Sequence, residues 1–252
     1  HRRYSQGRWE PPEPVATGQA GIRQAALAAS SDGVIYAAWS ARGDTGVWNV
    51  YLSQRSPYEQ PTPAASSTTT ATPGALNTPT RPAASHSLLP TFLLSHRFTP
   101  PVPNPPSARA LALPQAEPTW SAPTNISSSA KDSRNVALTM GLDGTLYAVW
   151  EERNYVGSTT ILSYSRLLNG SWTEPKVFLA GEEPSLATSP DGGVHLVFAN
   201  EFRGNYDIYY TTWITDNWSG AVNVSSTTGR SLQPALAVRS DNRPVVAWSE
   251  TL

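Results

Sequence analysis

One short stretch recurs four times in this chain, and its recurrence restricts the fold more than any other feature. Leu27, Leu138, Leu186 and Leu236 each stand five residues before an Asp, at Asp32, Asp143, Asp191 and Asp241. Seven residues beyond each Asp comes an aromatic: Trp39, Trp150, Phe198 and Trp248. Two offsets shared four times over mark one supersecondary unit repeated along the chain. Asp-Gly at the centre of three copies is a hairpin-turn pair, because both residues tolerate positive φ, and Asn242 takes the Gly place in the fourth.

The segments around that turn read as strands. Val34 to Trp39 and Thr145 to Trp150 carry small and apolar residues on both faces, the pattern of sheets stacked on one another. A third strand rich in β-formers follows at Val47 to Leu52, Thr160 to Ser165 and Asp207 to Thr212. A Trp-bearing turn then leads to an outer strand, at Trp9, Trp120, Trp172 and Trp218. Prolines such as Pro123 and Pro175 confine that strand to a sheet edge.

Asp143 and Asp191 are 48 residues apart and Asp191 and Asp241 are 50 apart, whereas Asp32 and Asp143 are 111 apart. Removing one period from the long interval leaves about 60 residues of insertion, and the period fits a propeller blade of about 40–50 residues. The chain therefore reads as all-β, a β-propeller of four-stranded blades with about four repeats visible. Such a set forms either a tight four-bladed ring or part of a larger propeller. Blades are expected over residues 1–56 and 119–252, with a low-complexity insertion over 57–118 in the first blade. Rich in Pro, Ser, Thr and Ala, the insertion has no means of burying a core of its own. Its Leu88 to Phe98 stretch is locally apolar and basic, and Phe92, Arg97 and Phe98 are expected to dock on a protein partner.

A net charge of −1 with 15% charged residues provides no field for nucleic acid. The absence of Cys excludes disulfides, thiolate metal sites and a Cys nucleophile. The four His residues lack metal-ligand spacing, and there is no phosphate-binding Gly loop, no Gly-X-Ser-X-Gly elbow and no His-Glu-X-X-His, so neither metal nor cofactor is expected. No apolar run approaches the roughly 20 residues of a membrane helix.

Trp150-Glu-Glu-Arg153, Leu162-Ser-Tyr-Ser-Arg166 and Gly170-Ser-Trp-Thr-Glu-Pro175, together with Arg203 to Tyr210 and Trp218, resemble the repeat of sialidase-like (BNR-type) propellers. The resemblance covers residues 1–56 and 119–252. That family's Asp-box survives only in worn form, at Leu168 to Trp172 and Thr215 to Trp218. The resemblance implies an Arg triad for a sugar carboxylate, a Tyr nucleophile paired with Glu, and an Asp acid/base. Arg42, Arg153 and Arg203 would supply the triad. Yet Arg42 and Arg153 both stand three residues after the blade aromatic, which reads as a repeated structural role, whereas a catalytic set should break the repeat.

Asp44, Glu151, Glu152, Glu201 and Asp207 recur at similar blade positions, on loops or strand starts. They read as loop hydrogen-bonding groups and not as a glycosidase pair, so no catalytic residue is assigned. Trp48, Tyr155, Tyr206 and Trp213 read as surface aromatics able to stack on sugars or fill a partner's pocket, while Trp39, Trp150 and Trp248 read as blade packing. The expected function is a non-catalytic, extracytoplasmic recognition or scaffold propeller (secreted, periplasmic or cell-surface), docking on a protein partner or assembly through its insertion. The alternatives are a sialidase-like glycoside hydrolase and a carbohydrate-binding propeller lectin. In the lectin, Arg42, Arg153 and Arg203 would join Trp48, Tyr155 and Tyr206 in meeting a glycan.

Overall fold

The Asp turn closes its hairpin in the same way in all four repeats. The computed structural model describes residues 1–57 and 119–251, apart from residues 3, 6, 17, 18, 20 and 154–158. Ser30, Gly141, Ser189 and Arg239 each donate their N–H to the carbonyl four residues on, at 2.8 to 2.9 Å. Gly33, Gly144, Gly192 and Asn242 donate back at 2.9 to 3.1 Å, every one of them at positive φ. Across the hairpin, Leu27 faces Ala37, Leu138 faces Ala148, Leu186 faces Leu196 and Leu236 faces Val246, always two residues before the aromatic. The offsets in the sequence are thus a register.

Every regular element among the described residues is a strand, and the pairing is antiparallel throughout. A small hairpin, β1 (Tyr4–Ser5) and β2 (Arg8–Trp9), comes first. Blade 1 is β3 (Arg23–Ala29), β4 (Ile35–Arg42), β5 (Trp48–Arg55) and β6 (Thr124–Asn125). Blade 2 is β7 (Asp132–Met140), β8 (Leu146–Arg153) and β9 (Thr160–Leu168), with an outer strand split into β10 (Ser171–Trp172) and β11 (Lys176–Ala180) around Pro175. Blade 3 repeats this with β12 (Glu182–Thr188), β13 (Val194–Phe202), β14 (Asn205–Ile214), β15 (Asn217–Trp218) and β16 (Val222–Asn223). Blade 4 holds β17 (Arg230–Val238) and β18 (Pro244–Thr251).

The third strand of each full blade runs further than its β-formers alone predict, because a hydroxyl clasp holds its end to the outer strand. Ser53, Ser165 and Thr211 donate to the carbonyls of Ser121, Thr173 and Ser219 at 2.6 to 2.8 Å. In return the hydroxyls of Ser121, Thr173 and Ser219 accept the N–H of Gln54, Arg166 and Thr212 at 3.0 to 3.1 Å.

Hydrophobic residues fill the spaces between blades. Trp150, fully buried, faces blade 1 with Leu138 and Leu146 against Ala38, Val50 and Leu52. One blade on, Phe198 occupies the same place and meets Tyr147, Val149, Leu162 and Tyr164 of blade 2. Trp39 is equally buried, under Val15 and Ala16 of the leading segment. Trp248 departs from the packing expected of it. At 36% exposure it stays outside the cluster that Val246, Leu236 and Leu232 form with blade 3, and its indole N–H turns to Glu250 at 3.1 Å.

Each inner strand carries a bulge at the same place, three residues before its Leu. Gln24, Asn135, Glu183 and Gln233 sit there at φ of 47° to 55°, a conformation non-Gly residues seldom adopt. All four border a cavity of about 370 Å³ on the side where the inner strands meet. Their turned-out amides are bonded from blade to blade. The Asn135 N–H donates to Gln24 Oε1 at 3.4 Å and the Gln233 N–H to Glu183 Oε2 at 2.6 Å. Between blades 2 and 3, Asn135 is one methylene shorter than Gln24, and Glu151 of β8 supplies the acceptor instead. Its Oε1 takes the Glu183 N–H at 2.7 Å and the Asn135 side-chain amide.

Candidate binding cleft

At the end of the sheets where inner strands begin and second strands finish, a cleft of about 680 Å³ opens between blades 2 and 3. The start of β7 contributes Asp132 and Arg134, the end of β8 contributes Arg153, and the start of β12 contributes Glu182. Asn200 and Glu201 of β13, Tyr206 of β14, and Thr159 and Thr160 at the start of β9 complete the polar lining. Gly181 lies in the floor, where a Cβ would come within 2.7 Å of the Phe198 ring and 3.1 Å of Leu162.

These groups hold one another in place. Arg134 pairs with Asp132 at 2.7 Å, and the other Asp132 oxygen accepts the Trp48 N–H at 2.9 Å. Arg153 is suspended between two carboxylates, 4.0 Å from Glu151 and 4.0 Å from Glu182. Interaction with Glu182, and next to it burial, raises the Tyr206 phenol above its usual range. Arg230 covers the Tyr206 ring at 4.3 Å.

Trp48 forms the shoulder of the cleft, and it is not the surface platform its sequence position implied. It is 5% exposed because three guanidinium groups lie on its ring: Arg134 at 4.8 Å, Arg23 at 5.0 Å and Arg42 at 5.8 Å. Trp213 is likewise part of the packing, edge-on to Tyr147, Tyr164 and Trp218 with Arg166 over it at 4.6 Å.

Of the residues singled out from the sequence, Arg153, Glu201 and Tyr206 meet in the cleft, and Arg42 and Trp48 adjoin it through Arg134. Arg203 does not join them. It stands in the β13–β14 turn at φ 55° with its guanidinium 5.1 Å from the Phe202 ring, so Arg42, Arg153 and Arg203 are not brought together as a triad. Arg42 and Arg153 are both the last residue of a second strand. Tyr155, Phe92, Arg97 and Phe98 lie outside the described residues.

Among the carboxylates, Asp207 is bonded to Ser225 at 2.8 Å and Asn223 at 3.0 Å, a loop-holding role. Glu151 and Glu152 are neither on a loop nor at a strand start. They lie within β8, and Glu151 is 1% exposed. Asp132, Arg134, Glu182 and Arg23 were missed from the sequence. A signal for three of them existed, since Arg23, Arg134 and Glu182 each stand four residues before the repeat Leu.

No protein-family model matches the chain, and no curated protein matches it in sequence. Solved structures of similar fold include a protein of unknown function from Dyadobacter fermentans, at 10% identity and TM-score 0.56 over 91% of this chain and 62% of that one. A Hadza microbial sialidase is similar at 11% identity and TM-score 0.53, over 98% of this chain and 45% of its own. An endo-arabinase from Bacteroides thetaiotaomicron is similar at 9% identity and TM-score 0.50, over 95% and 76%. This chain thus spans less than two thirds of the first two. At such identities the likeness is one of fold, and with the repeated four-stranded sheets it defines the class: the chain is an all-β propeller. Among the described residues no helix is long and apolar enough to cross a membrane.

Proposed function

We propose that this chain is a recognition propeller that binds an acidic glycan in the cleft between blades 2 and 3 without acting on it chemically. The observation that carries this reading is the imbalance at the Trp48 shoulder, where Arg23, Arg42 and Arg134 share one indole ring and, among the described residues, only Arg134 has a carboxylate partner, Asp132. Arg23 and Arg42 are exposed residues that lie over the indole and, among the described residues, have no carboxylate partner, so their donors are available to an anionic group. The adjoining cleft is lined by both donors and acceptors, Arg134, Arg153, Asn200, Glu182 and Glu201 among them, the groups that hydrogen-bond sugar hydroxyls.

The way the carboxylates are used supports binding without chemistry. Glycoside hydrolysis needs two of them at the scissile bond. Both Asp132 oxygens are engaged and the side chain is 5% exposed, while Glu182 is tied to Tyr206 and Arg153, which leaves Glu201. The pairing of Tyr206 with Glu182 is the one observation that favours a sialidase-like hydrolase as a second reading. Residues 57–118 are assigned within the same proposal to docking on a protein partner, through Phe92, Arg97 and Phe98, outside the cytoplasm.

Calorimetric titration with 3′-sialyllactose, tri-galacturonate and lactose tests the proposal. One or both acidic sugars should bind and lactose should not, and Arg153→Ala and Arg42→Ala should each weaken binding about tenfold. Equal binding of lactose overturns the acidic preference, and no binding of any of the three overturns the glycan reading. Release of sugar from a fluorogenic sialoside, abolished by Tyr206→Phe, would establish the hydrolase.

A further inference from the structure

Glu151 is the feature of this molecule that the repeat does not require. The position after the blade aromatic holds Ser40, Glu151, Ala199 and Ser249 in the four blades, so one buried carboxylate replaces small neutral residues. Removing a charged group from water is costly unless something answers the charge. The blade-to-blade bond at Glu151 Oε1 does not need a charge. Gln24 makes the corresponding bond with a neutral amide oxygen. The surplus lies in the other oxygen, Oε2, which is buried, has no hydrogen-bond partner, and stands 4.0 Å from Arg153 Nε.

Arg153 is half-exposed and lines the cleft. Among the described residues its other carboxylate neighbour is Glu182, which also interacts with Tyr206. We propose that Glu151 is the positioning residue of the cleft: with one oxygen it joins blade 2 to blade 3, and with the other it sets the direction of the Arg153 guanidinium toward the ligand. This rests on the acidic-glycan reading for the ligand, but not for the contact itself. The groups that face Glu151 are Arg153 on its own strand, Glu182 and the Glu183 N–H from β12, and the Asn135 amide from β7. Burial raises the carboxyl, and the two hydrogen bonds and Arg153 oppose that rise.

Glu151→Gln separates the two roles, since the amide oxygen preserves the blade-to-blade bond and only the charge is lost. The direct readout is the Arg153 Nε–H resonance in a ¹⁵N-correlated NMR spectrum of the whole chain, which needs no ligand. It should be sharp in the parent protein and shift or exchange-broaden in Glu151→Gln, while backbone resonances of β8 and β12 stay in place. Affinity for the acidic sugar that the parent binds should fall about tenfold, and Arg153→Lys should lose affinity similarly.

Should Glu151→Gln not fold, the reverse experiment remains. In Arg153→Gln the ¹³C-detected titration of Glu151 should move to higher pH, because the positive charge of Arg153 that holds it down is gone. An unchanged Arg153 resonance in Glu151→Gln, or an unchanged Glu151 titration in Arg153→Gln, overturns the positioning role. If no acidic sugar binds the parent protein while both NMR shifts appear, the ligand reading fails and the tether stands.

Discussion

His195 shows how a single ring can make the propeller sensitive to acid. It lies nearly buried in β13, with Nδ1 2.7 Å from the Tyr210 hydroxyl and Nε2 buried without a hydrogen bond. Burial lowers its pKa below the ordinary 6.5, and Asp191 opposes this more weakly. As pH falls through 6.5, the unfolded chain takes up a proton that the folded chain refuses, so stability is full above that pH and declines below it. For one proton the slope is at most about 1.4 kcal/mol per pH unit. Thermal midpoints measured between pH 7.5 and 5.5 should fall in the parent protein and be flatter in His195→Gln. At this scale the Asp turns were legible, because Asp-Gly carries its own conformational preference. The bulges were not. Gln24, Asn135, Glu183 and Gln233 have ordinary side chains, and the positive φ of the last three accompanies main-chain amides offered to the preceding blade. The burial of Trp48 was equally hidden, since it depends on arginines from three strands in two blades.

At the scale of the element, equivalent positions carry unequal loads. Phe198 is fully buried between blades 2 and 3, whereas Trp248, at the same offset from its Asp, is 36% exposed. Phe198→Ala should cost about 3–5 kcal/mol, the usual penalty for emptying a packed aromatic site. Trp248→Ala should cost markedly less, and urea midpoints of the two variants compare them directly. The pair Leu138 and Leu27 repeats the contrast at 8% and 57% exposure. Register was readable because four copies of one spacing permit only one alignment of strands. Burial was not readable, because it depends on whether another sheet lies against that face, and nothing within a single repeat encodes its neighbour.

For the whole molecule, the clasp at the base of the blade 1 outer hairpin bears on the insertion. Ser53, Gln54 and Ser121 make the same bonds as Ser165, Arg166 and Thr173, whose strands are joined by the turn Asn169-Gly170. Replacing residues 57–118 by Asn-Gly should therefore leave the propeller folded, with an unchanged β spectrum by circular dichroism and a Tm close to that of the parent. Collapse of the fold in this variant would show that the insertion belongs to the blades. The cleft residues differ in how they were read: Arg153 and Tyr206 stand out in the sequence, Glu182 carries only the repeat offset, and Asp132 gains meaning only when the inner strands of two blades lie side by side.

The bonds between bulges also bear on how such a molecule lengthens. Each joins a side-chain oxygen of one unit to a main-chain amide of the next, and that amide is present whatever the sequence. A unit copied by gene duplication would be gripped by its neighbour from its first generation, before any of its side chains had adapted. The oxygen need not come from one fixed residue, as the exchange of a Gln on the inner strand for Glu151 on the second strand illustrates, so later divergence at the bulge is tolerated while the grip is kept.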